Sequence, residues 1–140
     1  MTTLDEARAL IRARAAANFT AIPVLYPNEV NGDIPEATPE SFAFLEVLSE
    51  REYLAGYGGG RGANLWRQLA RIEARIFTPA GSGTLDGEVL AKAFAAVFRG
   101  QRFDGVSCFA AEVDSEGTPA ERGNYWVTRV TVDAQWDLHG

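Results

Sequence analysis

The chain has 140 residues, 46% of them hydrophobic, and carries a formal net charge of −6 from 13 basic and 19 acidic side chains. That length and apolar fraction suit one domain spanning residues 1–140 with a real core. The acidic balance argues against gripping nucleic acid across a broad face, which needs clustered Lys and Arg. Cys108 is the only cysteine, which excludes an intramolecular disulfide and a thiolate metal cluster. No apolar run approaches the ~18–20 residues of a membrane span. The N-terminus "MTTLDEARALIRAR" is acidic and amphipathic from its start, unlike a signal peptide, so a soluble intracellular product is expected.

In chain order, "TTLDEARALIRARAAANF" predicts a helix. Thr3 caps it, Asp5 and Glu6 sit in the first turn where the helix dipole favours acids, and Leu4, Ala7, Ile11, Ala15 and Phe19 share a face. Arg8 and Arg12 fall on other faces and read as solvated. "IPVLYPN" is a short strand, and "EVNGDIPEATPES" is a loop broken by its prolines and Gly32. Phe42 to Ser49 alternates and predicts a strand. Leu65 to Thr78 fits two templates: a helix with Trp66, Leu69, Ile72, Ile76 and Phe77 on one face, or a strand in which Trp66, Ala70, Ile72, Ala74 and Ile76 alternate with Arg67, Arg71, Glu73 and Arg75.

Beyond Pro79 to Gly83, Thr84 is positioned to cap a second helix. Leu85, Val89, Ala93 and Val97 with Leu90, Phe94 and Phe98 form its wide apolar stripe, and Gly100 closes it. "GVSCFAAEV", a turn through "DSEGTPAERGN", and "YWVTRVTVDAQW" complete the order as two strands. In the last, Trp126, Thr128, Val130, Val132 and Ala134 face one way, and Tyr125, Arg129, Thr131 and Asp133 the other. The expected fold class is α+β: a four- to five-stranded, mostly antiparallel sheet with two helices packed on one face.

"YLAGYGGGRGANLWR" poses the functional question, because glycine-rich loops cradle phosphates. A phosphate-binding loop of the G-x-x-x-x-G-K-[ST] kind needs a Lys and a Ser or Thr that "GYGGGRGANL" lacks. In the dinucleotide frame, Arg61 stands where the last glycine belongs, and the shifted frame puts Ala63 there. "PAGSGT" before the second helix has no lysine, and Asp86 and Glu88 would repel a phosphate. His139 is the only histidine and sits one residue from the end, where chains usually fray; without it there is no Ser–His or Cys–His pair and no histidine metal site. Cys108 reads as a small buried apolar residue. Asp114 with Glu116, or Asp133 with Asp137, are the carboxylate pairs that can meet in space. No catalytic residue, cofactor or metal site is assigned, and the chain reads as a non-enzyme.

Three blocks carry a resemblance: "FTAIPVLYPN" after the N-terminal helix, "RIFTPAGSGTLDGEVLAKAFAAVFRGQRFDGV", and the last strand "YWVTRVTVDAQWD". They resemble the tail terminator proteins of long-tailed bacteriophages, over nearly the whole chain in element order and length. The resemblance implies a small α+β protein whose copies close into a hexameric ring on the last ring of the tail tube. That ring stops polymerisation and offers a surface to the head connector. It implies as partners further copies of the chain, the major tail tube protein and a head-closure or connector protein, with DNA passing through the lumen unheld. It places the chain in the virion, and it favours strand for Leu65 to Thr78, although "LWRQLARIEAR" is more helical than the family pattern.

In that setting the glycine loop is an assembly loop, with Tyr53, Tyr57, Gly58, Gly59, Gly60, Arg61 and Trp66 as candidate contacts to a subunit or partner. Glycine supplies freedom, and aromatic and Arg side chains are enriched at interfaces. A different neck component, such as a head-closure or head–tail joining protein, is the nearest alternative. A small α/β enzyme is the third.

Overall fold

The computed structural model describes residues 2–27, 40–57, 60–81, 83–117 and 123–139. Two helices, α1 (Leu4–Asn18) and α2 (Leu85–Phe98), accompany six strands: β1 (Val24–Leu25), β2 (Phe42–Gly56), β3 (Leu65–Pro79), β4 (Arg102–Phe103), β5 (Val106–Gly117) and β6 (Tyr125–His139). The strands form one sheet in the order β1-β2-β3-β6-β5-β4. Among the described residues no helix is long and apolar enough to cross a membrane.

This corrects the expected sheet. It is six-stranded, mixed and curved into a half-barrel, with about half of the residues in strands. The β1–β2 pairing is parallel, with Val24 beside Ala43 and Leu25 beside Phe44. The sixth strand is β4, paired with β5 through Arg102↔Ser107 and Phe103↔Val106. The two residues between them, Asp104 (φ 47) and Gly105 (φ 90), both take positive φ. That is the requirement of a tight primed turn, which Asp-Gly meets at low cost. "DGV" therefore marks a hairpin whose first strand, Arg102–Phe103, the sequence reading left unassigned.

The ambiguous segment is strand throughout. All 15 residues of β3 pair with β6, from Leu65↔His139 to Pro79↔Tyr125. Its Arg- and Ala-rich composition favours helix in isolation, but a central strand with a partner on each side gains ladder bonds and burial that outweigh propensity. β2 also runs past Ser49 to Gly56, with a bulge between Ser49 and Arg51. The buried Gln68 amide fills it, donating from Nε2 to Ser49 Oγ (2.8 Å) and to the carbonyl oxygens of Arg51 (3.1 Å) and Leu69 (2.8 Å). β5 likewise extends through Asp114 to Gly117, residues read as turn. The proline-rich loop lies mostly outside the described residues.

The core gathers Ala7, Ile11 and Ala15 of α1, Phe94 and Phe98 of α2, and the alternate residues Ile72, Ala74, Val130 and Val132 of the central strands. Phe19 meets Phe94 edge to face at 5.4 Å between centroids. Each fully buried side chain of this size contributes about 1.5–3 kcal/mol. Thr3 caps α1, its Oγ1 accepting from the Glu6 N–H at 3.4 Å. Thr84 makes no side-chain cap bond; only its carbonyl is used, accepting from Glu88 N–H.

One burial expectation changes. Leu85 and Val89 are 68% and 57% exposed and face away from the sheet, because α2 is apolar on more of its circumference than one sheet can cover. Tyr125 is fully buried in a second cluster with Phe42, Phe77 and Val127 on the face opposite the helices, the side of the last strand that the sequence reading gave it. There Phe42 and Phe77 stack at 4.5 Å, and Tyr125 sits edge-on to both.

Candidate assembly interface

The glycine-rich segment joins β2 to β3 at one end of the sheet. Gly60 and Gly62 have φ of 77° and 90°, and Ala63 N–H closes the turn on Gly60 O at 3.0 Å. Both φ values lie where a Cβ is strained, so glycine is required there. Tyr57 is 88% exposed, and Arg61 is exposed beside the turn. Gly58 and Gly59 lie outside the described residues.

Tyr53 and Trp66 are not loop residues. Tyr53 stands in β2 opposite Arg67, with the Arg51 guanidinium 5.4 Å from its ring centroid. Trp66 stands in β3 between Leu54 and Leu138, half-buried. As neighbours of one β3 rung, Arg67 and Trp66 point to opposite faces, so Tyr53 and Trp66 do too. Of the candidate contacts, Tyr57, Gly60 and Arg61 share one exposed turn, while the other two described residues belong to the sheet.

The strand alternative read from the sequence put Arg67, Arg71, Glu73 and Arg75 on one side, but not the acids that the arginines meet there. Arg67 holds Asp137 through two bonds, Nε to Oδ1 at 2.7 Å and Nη2 to Oδ2 at 3.0 Å. This hydrogen bonding lowers the Asp137 pKa below the usual carboxylate range and raises that of Arg67. Arg75 and Arg129 face each other directly across β3 and β6, a like-charge pairing that is unfavourable alone. Glu116 stands between them, 2.8 Å from Arg75 and 3.4 Å from Arg129, and Asp114 adds a contact to Arg129 at 3.7 Å. Arg71 reaches Glu50 at 3.8 Å. The Arg spacing of four along β3 was the available signal, since period two puts all three on one face.

Both long edges of the sheet are open over much of their length. Beyond β1, Leu45 to Gly56 of β2 has no strand beside it among the described residues. Arg8, read as solvated, donates from Nη2 to Val47 O there at 3.2 Å, and the Arg12 guanidinium lies 4.4 Å from the Tyr26 ring centroid. At the other edge, Gln101 O accepts from Cys108 N–H and Phe109 O accepts from Gly100 N–H; past Phe109, β5 has no further partner on that side among the described residues.

A cavity of about 440 Å³ is lined by Thr2, Arg67, Arg102, Asp104, Ser107 and Asp137. No group of three metal-ligating side chains occurs among the described residues. Burial pushes the Cys108 thiol up to about 11, so it stays protonated near neutrality and is a poor nucleophile. Of the two carboxylate pairs, Asp114 and Glu116 meet at Arg129, whereas Asp137 engages Arg67 and Asp133 stands opposite Arg71.

No protein-family model matches the chain, and no curated protein matches it. Among solved structures, one superposes on 100% of this chain and 99% of its own, with a TM-score of 0.62 at 15% sequence identity. At that identity the likeness speaks for the fold alone, and that protein's name states no function.

Proposed function

We propose that the chain is a structural virion protein of a long-tailed bacteriophage, a tail terminator. Its copies close into a hexameric ring at the head-proximal end of the tail tube, where the ring stops polymerisation and receives the head connector. The chain works without catalysis or cofactor, and the acidic balance of each copy lets DNA pass through the ring without being held. The observation that carries this reading is the turn between β2 and β3, which presents Tyr57 at 88% exposure with Arg61 beside it. A large aromatic left in water next to an arginine is the composition of an interface anchor, not of a chain that works alone.

The test replaces Gly56 to Gly62 by a two-residue turn. Loop closure changes stability by only about 0.6 kcal/mol per doubling of length, so the shortened protein should remain folded by circular dichroism. Supplied as the sole copy during phage growth, it should give tails of uncontrolled length or tails that fail to join heads. Tyr57→Ala with Arg61→Ala should reproduce part of that defect. Normal tail length and particle yield with the shortened loop would sink the reading.

A further inference from the structure

We infer that two copies of this chain pair through the outward face of α2, the two helices lying antiparallel about a two-fold axis. The pair is closed and uses each α2 once. It neither requires the ring proposed above nor builds it.

α2 buries Gly87, Phe94 and Phe98 toward the sheet. At 3.6 residues per turn, Leu85, Val89, Ala93 and Ala96 fall within about 80° of one another on the opposite side of the helix. All four are exposed. A helix packed on a sheet ordinarily turns charged residues to water there. This stripe instead carries Leu85 and Val89, 68% and 57% exposed, more than any other large aliphatic side chain among the described residues. Contiguous apolar groups left in water mark an interaction surface.

The stripe is complementary to itself. Its bulk lies in its first half and its small residues in its second. Leu85 and Val89 precede Ala91 by as much as Ala96 and Ala93 follow it, to within about 1.5 Å of helical rise. Turned antiparallel about an axis near Ala91, Leu85 of one copy lies level with Ala96 of the other, and Val89 with Ala93. Large meets small at each level, which lets two helices approach to packing distance, about 8–10 Å between axes.

Charge fits the same register. Glu88 and Lys92 stand one turn apart on one flank of the stripe, both exposed, and neither is ion-paired among the described residues. Lys92 is the only lysine of the chain. A two-fold axis running between antiparallel helices sets this flank of one against the same flank of the other. Each Glu88 then lies within about 3 Å, along the helix, of the other copy's Lys92. Two intermolecular ion pairs result, and charges so placed choose partner and register. Parallel pairing would set Leu85 level with Leu85 and Glu88 level with Glu88, like against like. A second copy therefore supplies both matches, in size and in charge, in one orientation. One helix face is smaller than the ~800 Å² per partner of a standard interface, so pairing is expected at roughly tens of micromolar and above.

The test compares the parent protein with Glu88→Lys, with Lys92→Glu, and with Leu85→Ser plus Val89→Ser. Every substituted side chain is exposed, so each variant should fold, as circular dichroism checks. Sedimentation velocity follows association from about 1 μM to about 1 mM. The parent should dimerise, and the doubly substituted stripe should stay monomeric. Each charge variant sets like charges at both contacts and should dimerise about tenfold more weakly, or worse. Mixed in equal amounts, the two charge variants should form heterodimers by native mass spectrometry, because two lysines of one chain then face two glutamates of the other. A parent that stays monomeric, or dimers indifferent to the stripe substitutions, overturns the α2 pair. Dimers lost with the stripe but unmoved by either charge variant overturn the antiparallel register, as do charge variants that remain apart when mixed. A parent forming only rings that none of these changes affects overturns the pair and leaves the ring reading standing. Phage with normal tails in the absence of this chain would defeat the terminator reading without touching the dimer result.

Discussion

Along β3, Ala70, Ile72, Ala74 and Ile76 are buried beneath the helices, while Arg71, Glu73 and Arg75, which alternate with them, line the bare face together with Arg67. The first set is held by removal from water, at about 25 cal/mol per Å² of apolar surface. The second is held by ion pairs whose partners are more than a quarter exposed, and exposed pairs contribute roughly 0–1 kcal/mol each. The two faces therefore do different work. The helix face carries the stability, and the charged face sets register, since a slip by one residue would bury three arginines and put the isoleucines in water.

The largest effect is expected where the helix face is most closed. Phe94 is fully buried against Phe19 and Phe98, so Phe94→Ala should cost about 3–5 kcal/mol in urea unfolding. A loss under about 1 kcal/mol, the range of a surface change, would erase the contrast between the faces.

Gly87 sharpens it further, because a Cβ built there meets Thr128 Oγ1 at 2.5 Å. Gly→Ala in a helix ordinarily stabilises by about 0.5–1 kcal/mol. Here the neighbour is a stiff, buried, β-branched side chain, and Gly87→Ala should instead destabilise by about 1–3 kcal/mol through overpacking. Adding Thr128→Ala should return most of that loss. If Gly87→Ala raises the melting temperature, α2 does not approach β6 as closely as described.

The smallest effect belongs to the bare face. Asp137→Asn should cost under about 1 kcal/mol at neutral pH, less in high salt. Its pH dependence has a definite sign. The folded-state pKa of Asp137 is lowered by Arg67, so the contribution is complete above the unfolded carboxylate pKa and is lost as pH falls through the folded value. The stability gap between parent and Asp137→Asn should close on acidification, and a gap that widened would contradict the pairing.

Much of the scaffold was readable along the chain. The stripe Ala7, Ile11, Ala15 and the pair Phe94, Phe98 repeat at helical spacing, and Thr128 to Ala134 alternate, so their buried faces follow from local period alone. The candidate site was less legible. Arg8 and Arg12 look solvated on a helical wheel, and only the arrival of β2 turns them into the wall of a groove. Arg75 and Glu116 are 41 positions apart, and Arg67 and Asp137 are 70 apart. No local pattern links them.

Where helices and most strands form, and which of their side chains seek burial, follows from preferences that act between residues one to four positions apart. That Leu65 to Pro79 is a central strand, that β1 runs parallel to β2, which acid each arginine meets and which strand edges stay open follow from the assembled sheet. Those outcomes depend on register between distant segments, where each contact is favourable only once many others have formed.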